Sequence, residues 1–121
     1  MRLDRLKSFA LSLPHATSNR QWGDDLVFKV AGKMFLVLSL DGEIAVRLSF
    51  KCTPAEFKRL TAEIDGLVPA PYAARYFWVS LEDLAVLPEA ELWERIRTSY
   101  DLVRARLPKK TQAALTAAPG R

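Results

Sequence analysis

Nucleophilic, metal-binding and acid–base chemistry draws on Cys, His and closely set carboxylates, and this sequence holds few of them. It has one Cys, Cys52, and one His, His15. A single Cys excludes an intrachain disulfide framework, and the pair excludes zinc-finger and His-cluster metal sites. A Ser-His-Asp device would have to use His15, which follows Pro14 in a polar stretch with no local partner. Asp24-Asp25 and Glu82-Asp83 are sequence neighbours whose side chains diverge in most conformations, so they read as loop and cap residues. The five glycines are isolated, so there is no glycine-rich phosphate loop. Cys52, after a strand and before a capped helix, reads as a half-buried structural thiol rather than an activated one. The residues therefore point to a non-enzyme with no catalytic residue, no metal ligand and no cofactor.

What remains is charge and aromatic surface. The 121 residues carry 18 Lys and Arg against 14 Asp and Glu, a net charge of +4, which suggests an acidic partner such as nucleic acid. The excess is terminal. Residues 1–20 balance at +3, residues 21–100 hold nine basic and twelve acidic side chains, and residues 101–121 balance at +4. Lys29, Lys33, Arg47 and Lys51 mark the strand region, and the cations around the end of the last long helix read either as stems on the core edge paired with neighbouring carboxylates or, for Arg104, Lys109 and Lys110, as a phosphate-contacting flank. On that helix Arg95 and Arg106 border one side of the apolar stripe and Arg97 and Arg104 the other, with Glu91, Glu94 and Asp101 between. Between Pro71 and Trp78, Tyr72, Tyr76, Phe77 and Trp78 accompany Arg75. Aromatics beside an Arg can stack on bases or on a flat ligand, and Trp22, Tyr72 and Trp78 could line such a pocket. The same residues can also cap a core.

These residues need positioning elements. Leu3, Leu6, Ala10 and Leu13 recur at helical spacing and predict a first helix ending before Pro14. His15 to Asp25 reads as a polar loop, followed by a short strand over Leu26–Val30 and a longer one over Met34–Leu40. Asp41-Gly42 signals a hairpin with a type I′ turn. Beyond it Ile44, Val46, Leu48 and Phe50 alternate with Ala45, Arg47, Ser49 and Lys51, the pattern of a strand with one wet face. Thr53, Pro54 and Glu56 form a capping box that opens a second helix with Phe57, Leu60 and Ile64 as its stripe. Val68–Pro71 reads as a rigid connector, Arg75–Leu81 as a fourth strand, and Pro88–Leu107 as the last helix. The expected fold is α+β, a two-layer sandwich ordered α-β-β-β-α-β-α, with an antiparallel sheet and helices on one face. One domain is expected over residues 1–110, with a flexible tail over 111–121. No signal-peptide core and no run of about 18 apolar residues is present, so a cytoplasmic monomer without membrane contact is the expectation.

Three blocks resemble the MmcQ/YjbR family of small bacterial single-domain proteins. The first is Leu11-Ser-Leu-Pro14, then Trp22-Gly23, then Val27-Phe-Lys-Val30 with Gly32-Lys33-Met34-Phe35. The second is Leu48-Ser-Phe-Lys51 leading into the capped helix, with Pro69-Ala70 and Trp78 beyond. The third and most specific is Ser99-Tyr-Asp-Leu-Val103 continuing to Leu107-Pro-Lys-Lys110. The resemblance spans about residues 3–110 and implies a CyaY-like, "double wing" sandwich with a bent sheet and DNA binding. Many members carry Asn-Lys-Arg-His before the tryptophan; here Ala74-Arg75-Tyr76-Phe77 stands there, which keeps one cation. The fold also resembles frataxin, whose first helix is an acidic iron-binding ridge. Here Asp4 stands alone among Arg2, Arg5 and Lys7, which fits iron poorly.

The leading expectation is a DNA-binding protein that contacts phosphates with little sequence choice, through Arg75, Arg104, Lys109, Lys110, Lys29, Lys33 and Lys51. The alternative is a small-molecule or protein-binding module built on the Tyr72–Trp78 segment.

Overall fold

The computed structural model describes residues 3–21, 23–71 and 73–117. Helix α1 (Leu3–Ser12) leads into strands β1 (Ala16–Gln21), β2 (Asp25–Val30), β3 (Lys33–Asp41) and β4 (Ile44–Lys51). Helix α2 (Pro54–Glu63), strands β5 (Leu67–Pro69) and β6 (Trp78–Leu81), and helices α3 (Glu89–Ala105) and α4 (Lys109–Ala117) follow. The strands form one antiparallel sheet in the order β1-β2-β3-β4-β6-β5, and the helices pack on one of its faces. The α+β class expected from the pattern is the one observed.

The core lies between that face and the helices. Leu36, Leu38, Leu48, Phe50 and Leu81 from the sheet meet Leu6, Leu60, Leu92 and Ile96 from the helices, all at most 1% exposed. Each such side chain contributes about 1.5–3 kcal/mol by leaving water. Helix α2 starts as its capping box requires. Thr53 Oγ1 accepts from the Glu56 amide at 3.2 Å, and the Glu56 carboxylate accepts from the Thr53 amide at 3.4 Å. Helix α3 buries Leu92, Ile96, Ser99, Tyr100 and Val103, the face its 3.6-residue period marks.

Several elements differ from the sequence expectation, each for a physical reason. The presumed loop after His15 contains β1, whose six registered pairs with β2 make it a sheet edge. Only Ala16 of this strand is buried, so its residues carry no apolar alternation to read. The presumed connector Val68–Pro71 contains β5, a three-residue edge strand whose Pro69 needs no outward hydrogen bond. The presumed strand Arg75–Leu81 begins only at Trp78. Ala74–Tyr76 is a 3-10 turn, and Phe77 takes a left-handed φ of 66° while its ring packs edge-on against Phe57.

The type I′ turn falls at Ala31-Gly32 (φ 49° and 79°) between β2 and β3, not at Asp41-Gly42. The β3–β4 hairpin instead turns on Gly42-Glu43, with Gly42 alone at positive φ. A register shift between Ser39 and Leu40 also leaves Val46 unopposed on β4. This bulge reverses the phase of the strand: Ala45 points inward, while Ile44 (65% exposed) and Val46 (45% exposed) face water. The expected single alternation therefore holds only from Arg47 to Lys51.

Of the segment expected as a flexible tail over 111–121, residues 111–117 are part of α4 and residues 118–121 lie outside the described residues. Gln112 Nε2 donates to the Leu107 and Ala105 carbonyls at 2.7 and 3.2 Å, which closes the open end of α3. Leu115 packs against the core, and His15 Nε2 lies 2.9 Å from the Leu115 carbonyl.

Candidate functional site

The helix-free face of the sheet is built by registered rows. Asp25 pairs with Ser39, and Ser39 with Arg47. Val27 pairs with Val37, Val37 with Ser49, and Ser49 with Ser80. Lys51 pairs with Trp78, while Lys29 pairs with Met34. Paired residues share a face, with strands about 4.7–4.9 Å apart. Period 2 therefore places a row of charge, a row of hydroxyl and valine, and a row of cation and aromatic on one surface. Ala70, Pro71 and Ala73 wall it beyond β6, with the Ala70 N–H donating to the Trp78 carbonyl at 3.0 Å.

Two cavities adjoin here, the first on this surface and the second at its margin, where the end of α3 reaches the sheet. The first, of about 570 Å³, is lined by Asp25, Arg47, Ser49, Ser80, Val37, Ala70, Pro71 and Ala73 among others. Its floor holds the Ser49–Ser80 hydroxyl pair at 2.7 Å. The second, of about 470 Å³, is lined by Lys33, Lys51, Arg106, Tyr76, Val103, Leu107 and Pro108. Met34 and Trp78 line both, so the indole is a shared wall. Trp78 is 7% exposed and Tyr76 is 53% exposed.

The second cavity concentrates positive charge. Lys51 Nζ donates to the Tyr76 carbonyl at 2.7 Å. Burial, with Arg106 next to it, holds the Lys51 ammonium below the ordinary lysine range, against an opposing pull from Cys52. The Lys51 backbone is fixed from below by Ser99. Its hydroxyl accepts from the Lys51 amide at 2.9 Å and donates to the Phe35 carbonyl at 2.6 Å. Phe35 is the bulged residue that the β2–β3 register skips, so Ser99 satisfies a carbonyl the bulge disturbs. Tyr100 Oη donates to the Pro14 carbonyl at 2.6 Å. The Ser99-Tyr100 pair thus ties α3 to both ends of the strand region.

Of the sequence-predicted residues, Lys33 and Lys51 meet at this cavity. Arg75 lies one ring away, its guanidinium 4.9 Å from the Tyr76 centroid. Lys29 lies opposite Met34 on the same face. Arg104 is turned elsewhere, to the Tyr100 hydroxyl and to Thr116 Oγ1 at 3.4 Å. Lys109 and Lys110 open α4, directly after the cavity-lining Pro108. Trp22 and Tyr72 lie outside the described residues.

Sequence reasoning missed Arg47, Ser49 and Ser80 as one set, and Arg106 as a partner of Lys51. The alternation of Arg47, Ser49 and Lys51 against Leu48 and Phe50 was a usable signal for β4. The pairing of β4 with β6 was not, because it is non-local. Arg95, by contrast, is bound to Glu56 at 2.6 Å. Burial alone would raise the Glu56 carboxyl, but the Arg95 and Thr53 hydrogen bonds outweigh it and hold it below the usual range. Cys52 is buried, its thiol pushed up to about 12 by burial and then by Glu56. Among the described residues no group of three or more His, Cys, Asp or Glu could hold a metal ion, and no helix is long and apolar enough to cross a membrane.

An antiparallel sheet with helices on one face, a cavity on the other and a second cavity beside it where the end of α3 reaches the sheet defines the class as α+β. The chain belongs to the YjbR family, whose model matches residues 11–102. A crystal structure of a Deinococcus radiodurans protein described by the family-model domain DUF419 superposes with a TM-score of 0.83 at 26% identity, covering 95% of this chain and 88% of that one. A Pseudomonas syringae protein shares the fold, with a TM-score of 0.68 at 20% identity over 84% of this chain and 98% of that one. No curated protein matches.

Proposed function

We propose that this protein binds DNA by contacting phosphates with little sequence choice, through the cavity of Lys33, Lys51 and Arg106. The observation that carries this reading is the meeting, among the described residues, of three cations without a carboxylate against Tyr76 and Trp78. Phosphates seek such a concentration of fixed positive charge, and Arg75 and Lys29 extend it along the same surface. The reading is of a monomeric, cytoplasmic, non-enzymatic binder. In support, the Cys52 thiol is buried far from its reactive form, and His15 is engaged by the Leu115 carbonyl. With three phosphates neutralised, one at this cavity and one each by Arg75 and Lys29 along the surface, log affinity should fall against log salt with a slope of about −2 to −3. Anisotropy titrations of a DNA probe over a series of salt concentrations test this. Lys51→Ala combined with Arg106→Ala should reduce the slope by about one. Absence of binding at low salt would sink the reading.

A second reading, a small-molecule module on the Trp78 side, is favoured by the size of the first cavity. Its roughly 570 Å³ lies within the range of small-ligand sites. Saturable binding of a small ligand without any affinity for DNA would select it.

A further inference from the structure

We infer that the two cavities form one trough that holds a nucleotide of single-stranded DNA. Its phosphate would lie among Lys33, Lys51 and Arg106, and its base in the cavity between Trp78 and Arg47. This rests on the DNA-binding reading above and specifies the form of DNA. Adjacency is the first argument: Met34 and Trp78 line both cavities, so a ligand lying across the Trp78 indole touches both.

Charge is the second argument. Among the described residues, the Lys51 cavity is lined by three cations and no carboxylate. The Arg47 cavity holds one of each sign, Arg47 and Asp25, and neither has an ion-pair partner among the described residues. A phosphate gains most at the first and little at the second, so a strand has one orientation that matches both. The neutral-overall cavity suits a base. Its walls are apolar, and its unpaired guanidinium, its carboxylate and the Ser49–Ser80 hydroxyls offer donors and acceptors together. That mixed set lets different bases hydrogen-bond, which agrees with weak sequence choice. A base in a duplex is stacked and paired, so it reaches a recess only when unpaired, and a single strand supplies it without unstacking a partner.

The test is an anisotropy titration of the full chain with three probes of equal length: a mixed-sequence single strand, the corresponding duplex, and a strand of abasic residues. The single strand should bind about tenfold tighter than either of the others at the same salt, the worth of one accommodated base. Arg47→Ala should weaken single-strand binding by about tenfold, leave the other two probes within about twofold, and leave the salt slope unchanged. Ala73→Phe, which narrows the cavity mouth from a half-buried position, is a second variant with the same expected pattern. Circular dichroism melts show whether each variant is folded. Equal affinity for the normal and abasic strands, or tighter binding to duplex, would overturn the inference and leave phosphate binding standing. Binding to none of the three at low salt would overturn both.

Discussion

Lys51 illustrates how one side chain is placed by three different elements. Its strand, β4, presents it on the helix-free face. Ser99 of α3 holds its backbone from the core side, and Arg106 beyond α3 supplies a like charge. A lysine held below its ordinary range binds an anion only while protonated. Affinity for an anionic ligand should therefore fall as pH rises through that lowered value, at a pH where exposed lysines are still charged. Lys51→Arg, charged at every accessible pH, should flatten this limb, and comparing the two pH profiles checks it. Ser99→Ala leaves the Lys51 amide and the Phe35 carbonyl without their partner. A loss of about 1–3 kcal/mol is expected in urea unfolding, together with weaker anion binding.

Among the elements, the β2–β3 hairpin carries a cost that sequence variation can remove. Ala31 sits at the first central position of a type I′ turn with φ of 49°, where Asn and Gly are favoured. A left-handed conformation costs a non-glycine residue roughly 1–2 kcal/mol, and Asn tolerates it better than Ala. Ala31 is exposed, so nothing else changes on substitution. Ala31→Asn should raise the urea midpoint, by about 0.5–1 kcal/mol in stability, with an unchanged m-value. The bulge at Val46 acts in the opposite sense. It turns Ile44 and Val46 to water at the β3–β4 end while leaving Arg47, Ser49 and Lys51 in phase on the cavity face.

For the whole molecule, helix α4 belongs to the fold. Helix α4 closes the last turn of α3 through Gln112, packs Leu115 on the core and engages His15 at the start of the sheet. A chain ending at Pro108 should lose about 1–3 kcal/mol of stability. Its amides near His15 and the end of α3 should exchange faster, while the sheet centre stays protected, as hydrogen exchange followed by mass spectrometry would report. The −3 balance of the central 80 residues is likewise not spread evenly over the surface. Glu56 is taken up by Arg95, Glu89 by Arg5 and Glu63 by Arg59, all away from the two cavities. Net charge therefore says little about the one face where cations gather.

Local chemistry alone determined the α+β class, the capped start of α2, the buried stripe of α3 and the alternation of Arg47, Ser49 and Lys51. Each depends on contacts within one turn of helix or a few residues of strand. The three family blocks were also legible, as linear strings. The edge strands β1 and β5 were not, because an edge needs backbone pairing and little apolar burial. The convergence of Lys33, Lys51, Arg106 and Trp78 was decided by tertiary structure. It requires β4 to pair with β6 across an intervening helix and the end of α3 to reach the same cavity. Such proximity depends on long-range loop closure, which no local spacing encodes.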